Sequence, residues 1–204
     1  HRILLSTDKD KIQRLSVEGQ IIEKSSDLVK DPYVLEFLGL EDKSEYSENE
    51  LETRLINNLQ SFLLELGTGY TFVARQKRFT FNEEHFRVDL VFYNRMLRCF
   101  VLFDLKIGSL KHQDLGQMQM YVHYYERELM NEGDNSPIGI VLCADKSESV
   151  VKYTLPENET QIFASKYKLY LPSEEELLRE LNQEYQALEA GKTGKENSGD
   201  MKEE

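Results

Sequence analysis

The stretch HFRVDLVFYNRMLRCFVLFDLKIG, residues 85–108, sets Asp89, Asp104 and Lys106 inside runs of Val, Leu and Phe. A charge in such a run is costly to bury unless it is paired, exposed or bound to something. The stretch divides at Asn94-Arg95 into two strand-like segments, HFRVDLVFY and LRCFVLFDLKI. Side chains alternate faces along a strand, so Asp104 and Lys106 share a face, and Asp89 shares its face with Arg87, Val91 and Tyr93. A suitable antiparallel register brings Asp89 beside Asp104. Two close carboxylates repel unless a cation lies between them. Magnesium favours one or two carboxylates together with water and phosphate oxygens. A neighbouring lysine can stabilise charge developing on a phosphoryl group, or orient a water for attack. The three residues are therefore workable parts for phosphodiester hydrolysis. Spacing alone favours a plainer reading, an exposed strand-end ion pair of Asp104 with Lys106 worth about 0–1 kcal/mol. The apolar run CFVLF before Asp104 weighs against it, because it marks a central strand.

Working outward, YTFVARQKRFTF (70–81) is a further strand, joined to residue 85 by an Asn82-Glu83-Glu84 turn. The three strands form an antiparallel meander. Before them, residues 45–66 predict one amphipathic helix with Leu51, Leu55, Leu59, Phe62 and Leu66 on one face. Ser47 and Glu50 form a capping-box pattern at its start, and Gly67 and Gly69 close it. After the meander, HQDLGQMQMYVHYYERELM predicts a helix and IGIVLCA a buried, parallel-type strand. KSESVVKYTL predicts a short helix, QIFASKYKLY a strand, and an acidic helix runs from Pro172-Ser173 to about Leu188. DPYVLEFLGL (31–40) predicts a short helix after Pro32. The expectation is one α/β domain, a mixed β-sheet flanked by helices. Its element order is α-β-β-β-α-β with a further helix, strand and C-terminal helix.

The chain of 204 residues carries a net charge of −12, which argues at first against a polyanionic partner. The distribution qualifies this. Residues 41–50 and 173–190 contribute −4 and −5, whereas residues 70–130 hold nine Lys/Arg against seven Asp/Glu. An acidic frame around a mildly basic middle permits a nucleic-acid site. Cys99 and Cys143 lie in apolar runs without zinc-type spacing and read as reduced core residues of a cytoplasmic protein. No apolar run approaches the ~20 residues of a membrane helix. No Gly-rich phosphate loop, nucleophile elbow or His-Glu-x-x-His helix is present.

The segments FVARQKRFTF, HFRVDLVFYNRMLRCFVLFDLKIG, DLGQMQMYVHYYE and PIGIVLCADK resemble the bacterial YhcG-like family of the PD-(D/E)xK nuclease superfamily. The resemblance covers about residues 31–172 and implies a restriction-endonuclease-like core. It also implies a metal-dependent endonuclease, with DNA the expected substrate and Mg2+ (or Mn2+) the cofactor. Asp89 matches the superfamily's first metal-binding acid, with Val88 in place of the preceding Pro. Asp104 and Lys106 match the (D/E)xK element. Glu52 matches an acid on the first helix that often completes the metal site, with Glu65 a weaker substitute. Gln117 and Tyr121 match a Gln-x-x-x-Tyr pattern and share a helix face at i and i+4. Arg75 and Gln76 are candidates to face a phosphate backbone, or else a solvated strand edge. Arg87, Arg95, Arg98, Lys111 and His112 are further phosphate-contact candidates, each more often a plain surface charge. The rival reading is a catalytically inactive nucleic-acid-binding or assembly module on the same fold. A third is a protein-interaction domain suggested by the acidic surface. The chain opens on His1, and KDPYVLEFLGL resembles a junction that follows an N-terminal domain in the family. Residues 1–40 are accordingly expected to be the remnant of such a domain and its linker, 41–190 the nuclease-like domain, and 191–204 a disordered polar tail. A homodimer stays open.

Overall fold

The apolar pattern of the central strands dictates the layout, and the computed structural model describes residues 22–40, 46–81 and 83–170 of it. Strands β2 (Tyr70–Phe81), β3 (Glu84–Asn94) and β4 (Cys99–Ser109) form the antiparallel meander. Helix α3 (His112–Glu128) then leads to β5 (Ile138–Asp145), which pairs in parallel with β4. Helix α4 (Glu148–Thr154) leads to β6 (Ile162–Lys168), parallel to β5. A two-residue strand β1 (Tyr33–Val34) adds to β6, giving a six-stranded mixed sheet in the order β1-β6-β5-β4-β3-β2. The expected α/β class, a mixed sheet flanked by helices, is what the chain adopts.

Two apolar layers flank the sheet. One gathers Leu90, Phe92, Val101, Phe103 and Leu105 with Leu51, Leu55, Phe62 and Leu66 of the first two helices. The other gathers Val91, Leu102, Val141 and Cys143 with Leu115, Met118, Tyr121, Val122 and Tyr125 of α3. A near-continuous apolar strand such as Val101–Leu105 is what burial on both faces requires. At Gly139 a side chain would meet Met118 at 2.5 Å and Val122 at 2.8 Å, so glycine lets α3 lie close on β5. Both cysteines are free and buried, as expected.

Three local expectations are corrected. The single helix over 45–66 is two helices, α1 (Glu48–Asn57) and α2 (Leu59–Leu66). Asn58 sits between them at φ −112°, ψ 32°, and its side-chain amide bonds back to the Arg54 carbonyl at 3.0 Å, competing with helical continuation. The predicted stripe still faces the core. At the start of α1, Ser47 Oγ accepts from the Glu50 N–H at 3.2 Å, while the Glu50 carboxylate binds Arg54 rather than closing the box. The helix expected over 31–40 is instead β1 followed by a 3-10 turn, Glu36–Leu38. Tyr33 is fully buried and pairs with Tyr167, and the Leu35 N–H donates to the Lys168 carbonyl at 2.7 Å. Sheet pairing thus outweighs the local helical pattern. Residues 28–40, expected as remnant and linker, place Leu28, Tyr33, Leu35, Leu38 and Leu40 in the first core layer. The acidic helix 173–188, the tail 191–204 and the first 21 residues lie outside the described residues.

Candidate active site

The pairing of β3 with β4 runs from Asn94↔Cys99 to Leu90↔Phe103 and stops there. One step further along this register Asp89 stands opposite Asp104. At that step the Asp89 side chain takes over from the backbone, and its Oδ2 accepts from the Leu105 N–H at 2.8 Å. The register that brings the two acids together is set at the β3–β4 turn. There the buried Asn94 accepts from the N–H groups of Met96 and Leu97 and donates to the Thr68 carbonyl.

On β2, next to Asp89, Gln76 has φ 47°, a left-handed conformation unusual for a residue with a side chain. Its amide nitrogen donates to Asp89 Oδ1 at 3.1 Å and to Glu52 Oε2 at 2.5 Å. One amide therefore ties an acid of α1 to an acid of β3. Glu52 is buried although it lies on a helix. Asp104 is 3% exposed, which excludes the exposed ion-pair reading. Lys106 Nζ lies 3.0 Å from Asp104 Oδ2 and 3.8 Å from Glu48 Oε2. Asp104 Oδ2 is thus a buried carboxylate oxygen paired with the Lys106 ammonium.

Burial and the neighbouring Asp89 charge push the Asp104 carboxyl up to about 7, against the opposing pull of Lys106. Asp89 is also raised, by burial, although the Leu105 N–H, Lys106 and Gln76 oppose it. Glu52 is raised by burial, against the Gln76 hydrogen bond. Burial alone would lower the Lys106 amine, but Asp104, Glu48 and Asp89 outweigh it and hold the ammonium form. Three carboxyls that resist ionisation, two of them beside one lysine, form a site short of positive charge. A buried carboxylate beside a second one, with a single ammonium to offset both, suits a hard divalent cation, which takes oxygen ligands. The residues present therefore fit such an ion. Among the described residues no three His, Cys, Asp or Glu side chains are gathered tightly enough to enclose one, so Asp89, Asp104 and Glu52 are not a closed cage.

The other expected residues divide. Tyr121 is buried on α3, its hydroxyl accepts from the Gln117 amide, and burial with the nearby Asp104 charge raises it to about 12, so it keeps its proton. Arg75 is exposed on β2, with Glu52 within its electrostatic reach. Arg87, Arg95, Arg98, Lys111 and His112 are exposed. Glu65 is excluded as a substitute for Glu52, because its carboxylate is taken by the Val34 N–H and lies 3.8 Å from Lys30. Sequence reasoning missed Glu48 at the Lys106 ammonium. The available signal was its place four residues before Glu52, on the same helix face.

An open mixed sheet with an Asp-x-Lys on its central strand, a second Asp on the neighbouring antiparallel strand and helices on both faces defines a restriction-endonuclease-like domain. The sequence matches the YhcG PDDEXK nuclease domain over residues 26–182, and the chain belongs to that family. It is 43% identical over 192 residues to an Escherichia coli (strain K12) protein named "Putative nuclease YhcG", covering 93% of this chain and 50% of that protein. The chain thus spans about half the length of this relative. Among solved structures, it is similar to a repair endonuclease from Pyrococcus abyssi, with 18% identity, a TM-score of 0.42, and coverage of 63% of this chain and 50% of that one. It is also similar to EndoMS in the EndoMS–dsDNA2 complex, with 14% identity, a TM-score of 0.44, and coverage of 65% and 51%.

Proposed function

We propose that this PDDEXK nuclease domain is a divalent-metal-dependent DNA endonuclease, with Mg2+ as the working ion and Mn2+ able to replace it. The observation that carries the reading is the buried Asp104 carboxylate, set beside a second carboxylate, Asp89, with the Lys106 ammonium 3.0 Å away. Evolving a buried carboxyl that resists ionisation makes little sense for stability and good sense for holding a cation. Asp89 and Asp104 would hold the ion, and Glu52 would join when Gln76 releases it. A bound divalent cation supplies Lewis-acid polarisation of the phosphoryl group. Lys106, held as an ammonium, is a donor rather than a base. It orients the attacking water and stabilises negative charge growing on the phosphoryl oxygens. Gln117 and Tyr121 form a hydrogen-bonded pair on α3 that orders the wall beside Asp104 or contacts substrate. Arg75 is exposed at the strand edge, free to meet a phosphate. In the whole protein, an N-terminal domain of the same chain would be the natural partner for target choice.

The test is purified protein on supercoiled plasmid, with Mg2+, Mn2+ or a chelator. Metal-dependent nicking or linearisation is expected. Lys106→Ala and Asp104→Asn should each lower the rate at least 100-fold while circular dichroism stays native. Equal cleavage by both variants, or cleavage undiminished in chelator, rejects the mechanism.

A further inference from the structure

Beyond the point where β3 leaves β4, β2 and β3 continue together as a two-stranded ribbon from Lys77↔Val88 to Phe81↔Glu84. Its two faces differ sharply. On one, Phe79 stacks on Phe86 at 5.7 Å and on Tyr124 of α3 at 4.3 Å, and Phe81 meets Tyr124 edge-on. Glu84 belongs to this side by alternation. On the other, Arg78 pairs directly with Arg87, and Thr80 pairs with His85, all four exposed. Thr80 Oγ1 and His85 Nδ1 share a hydrogen bond of 2.9 Å.

Like charges directly opposite on adjacent strands are destabilising. Arg78 and Arg87 have no carboxylate within ion-pair distance among the described residues. The fold could have avoided this juxtaposition with one neutral residue. The pair also stands two residues along the strands from Gln76 and Asp89. That offset is about 7 Å, close to the axial rise of two nucleotides in one strand of duplex DNA.

We infer that this outward face, Arg78, Thr80, His85 and Arg87, is a docking surface for the phosphate backbone of duplex DNA. It rests on the nuclease reading and specifies its substrate class. Charge complementarity and continuity with the site identify the occupant. The ribbon's aromatic rings are committed to the stack on α3, so this face offers no platform for unstacked bases, which single-strand binders use. A two-stranded ribbon matches the major groove of B-DNA, whereas the deep, narrow major groove of A-form RNA excludes it.

The test is binding of a short duplex oligonucleotide by fluorescence anisotropy across a salt series, in chelator, using the full chain. Arg78→Ala/Arg87→Ala should weaken binding about ten-fold and lower the salt slope by about 2. Its melting temperature should equal or exceed that of the parent, as expected when a like-charge pair is removed. Arg78→Lys/Arg87→Lys should keep the slope. Unchanged affinity and slope in the alanine variant overturn the inference, as does equal loss in both double variants. Equal affinity for single-stranded DNA or duplex RNA overturns the duplex-DNA assignment. Plasmid cleavage by the parent is scored separately. Intact cleavage with no ribbon effect rejects the docking surface alone, and ribbon-dependent binding without cleavage rejects the nuclease reading alone.

Discussion

Asp104 concentrates the energetics of the site in one carboxyl. Its folded-state pKa of about 7 lies above the ordinary 3.8 of an exposed aspartate. An acid with a raised folded pKa binds its proton more tightly in the folded state, so its contribution is full below about pH 4. That contribution is lost as pH rises through about 7. Asp89 and Glu52 shift in the same direction and reinforce the trend. In chelator, the melting temperature should therefore fall between pH 4 and pH 8, by an amount on the order of 2–4 kcal/mol in stability. Asp104→Asn should flatten most of the slope and be the more stable protein at pH 8. A parent whose stability climbs steadily over that range would show that Asp104 ionises without penalty, and the argument for a cation would lose its footing. Asp89, Asp104 and Lys106 are legible in the sequence because charges interrupt apolar runs. Gln76 is legible only as a polar strand residue. Its left-handed backbone and its amide bridge to Glu52 and Asp89 arise where three elements meet and leave no local pattern.

The element that matters most for the site is the β3–β4 hairpin, since its register decides whether residue 89 meets residue 104. Asn94 fixes that register from a fully buried position, bonding two N–H groups and one carbonyl. Asn94→Ala leaves those groups without their partner and should cost about 1–3 kcal/mol in urea unfolding. Asn94→Asp keeps the acceptor but loses the donor to Thr68 and buries a charge, so at neutral pH it should cost at least as much. A neutral Asn94→Ala would mean that Arg95–Arg98 sets the turn without it. Strands and most helices follow from periodicity because each is specified by its own apolar pattern. The break at Asn58 does not, because no Gly or Pro announces it and the Leu51–Leu66 stripe runs through it. Strand β1 does not, because two residues become a strand only when β6, some 130 residues later, pairs with them.

At the scale of the whole molecule, a net charge of −12 is the sum of acidic stretches that precede and follow, in sequence, a region with a basic excess. The acidic stretches were legible as such, and the mixed-sheet architecture was legible from element order. What composition could not give is which basic residues face a common partner, because that depends on the ribbon's twist of Arg78 and Arg87 away from α3. An acidic frame acts at a distance: it repels a polyanion before contact and slows encounter, and salt screens this within about 8 Å at physiological ionic strength. Residues 171–204 carry ten acids against four Lys/Arg, among them Glu174, Glu175 and Glu176 in a row. Replacing these three by Gln should raise the association rate with duplex DNA several-fold at low salt, read by stopped-flow anisotropy. The gain should vanish at high salt, and the dissociation rate should stay near that of the parent, because a long-range field changes approach rather than contact. A slower dissociation with an unchanged association rate would instead mean that these acids touch the bound DNA or the surface it occupies. The acidic stretch would then act as a local competitor for Arg78 and Arg87 and not as a screen.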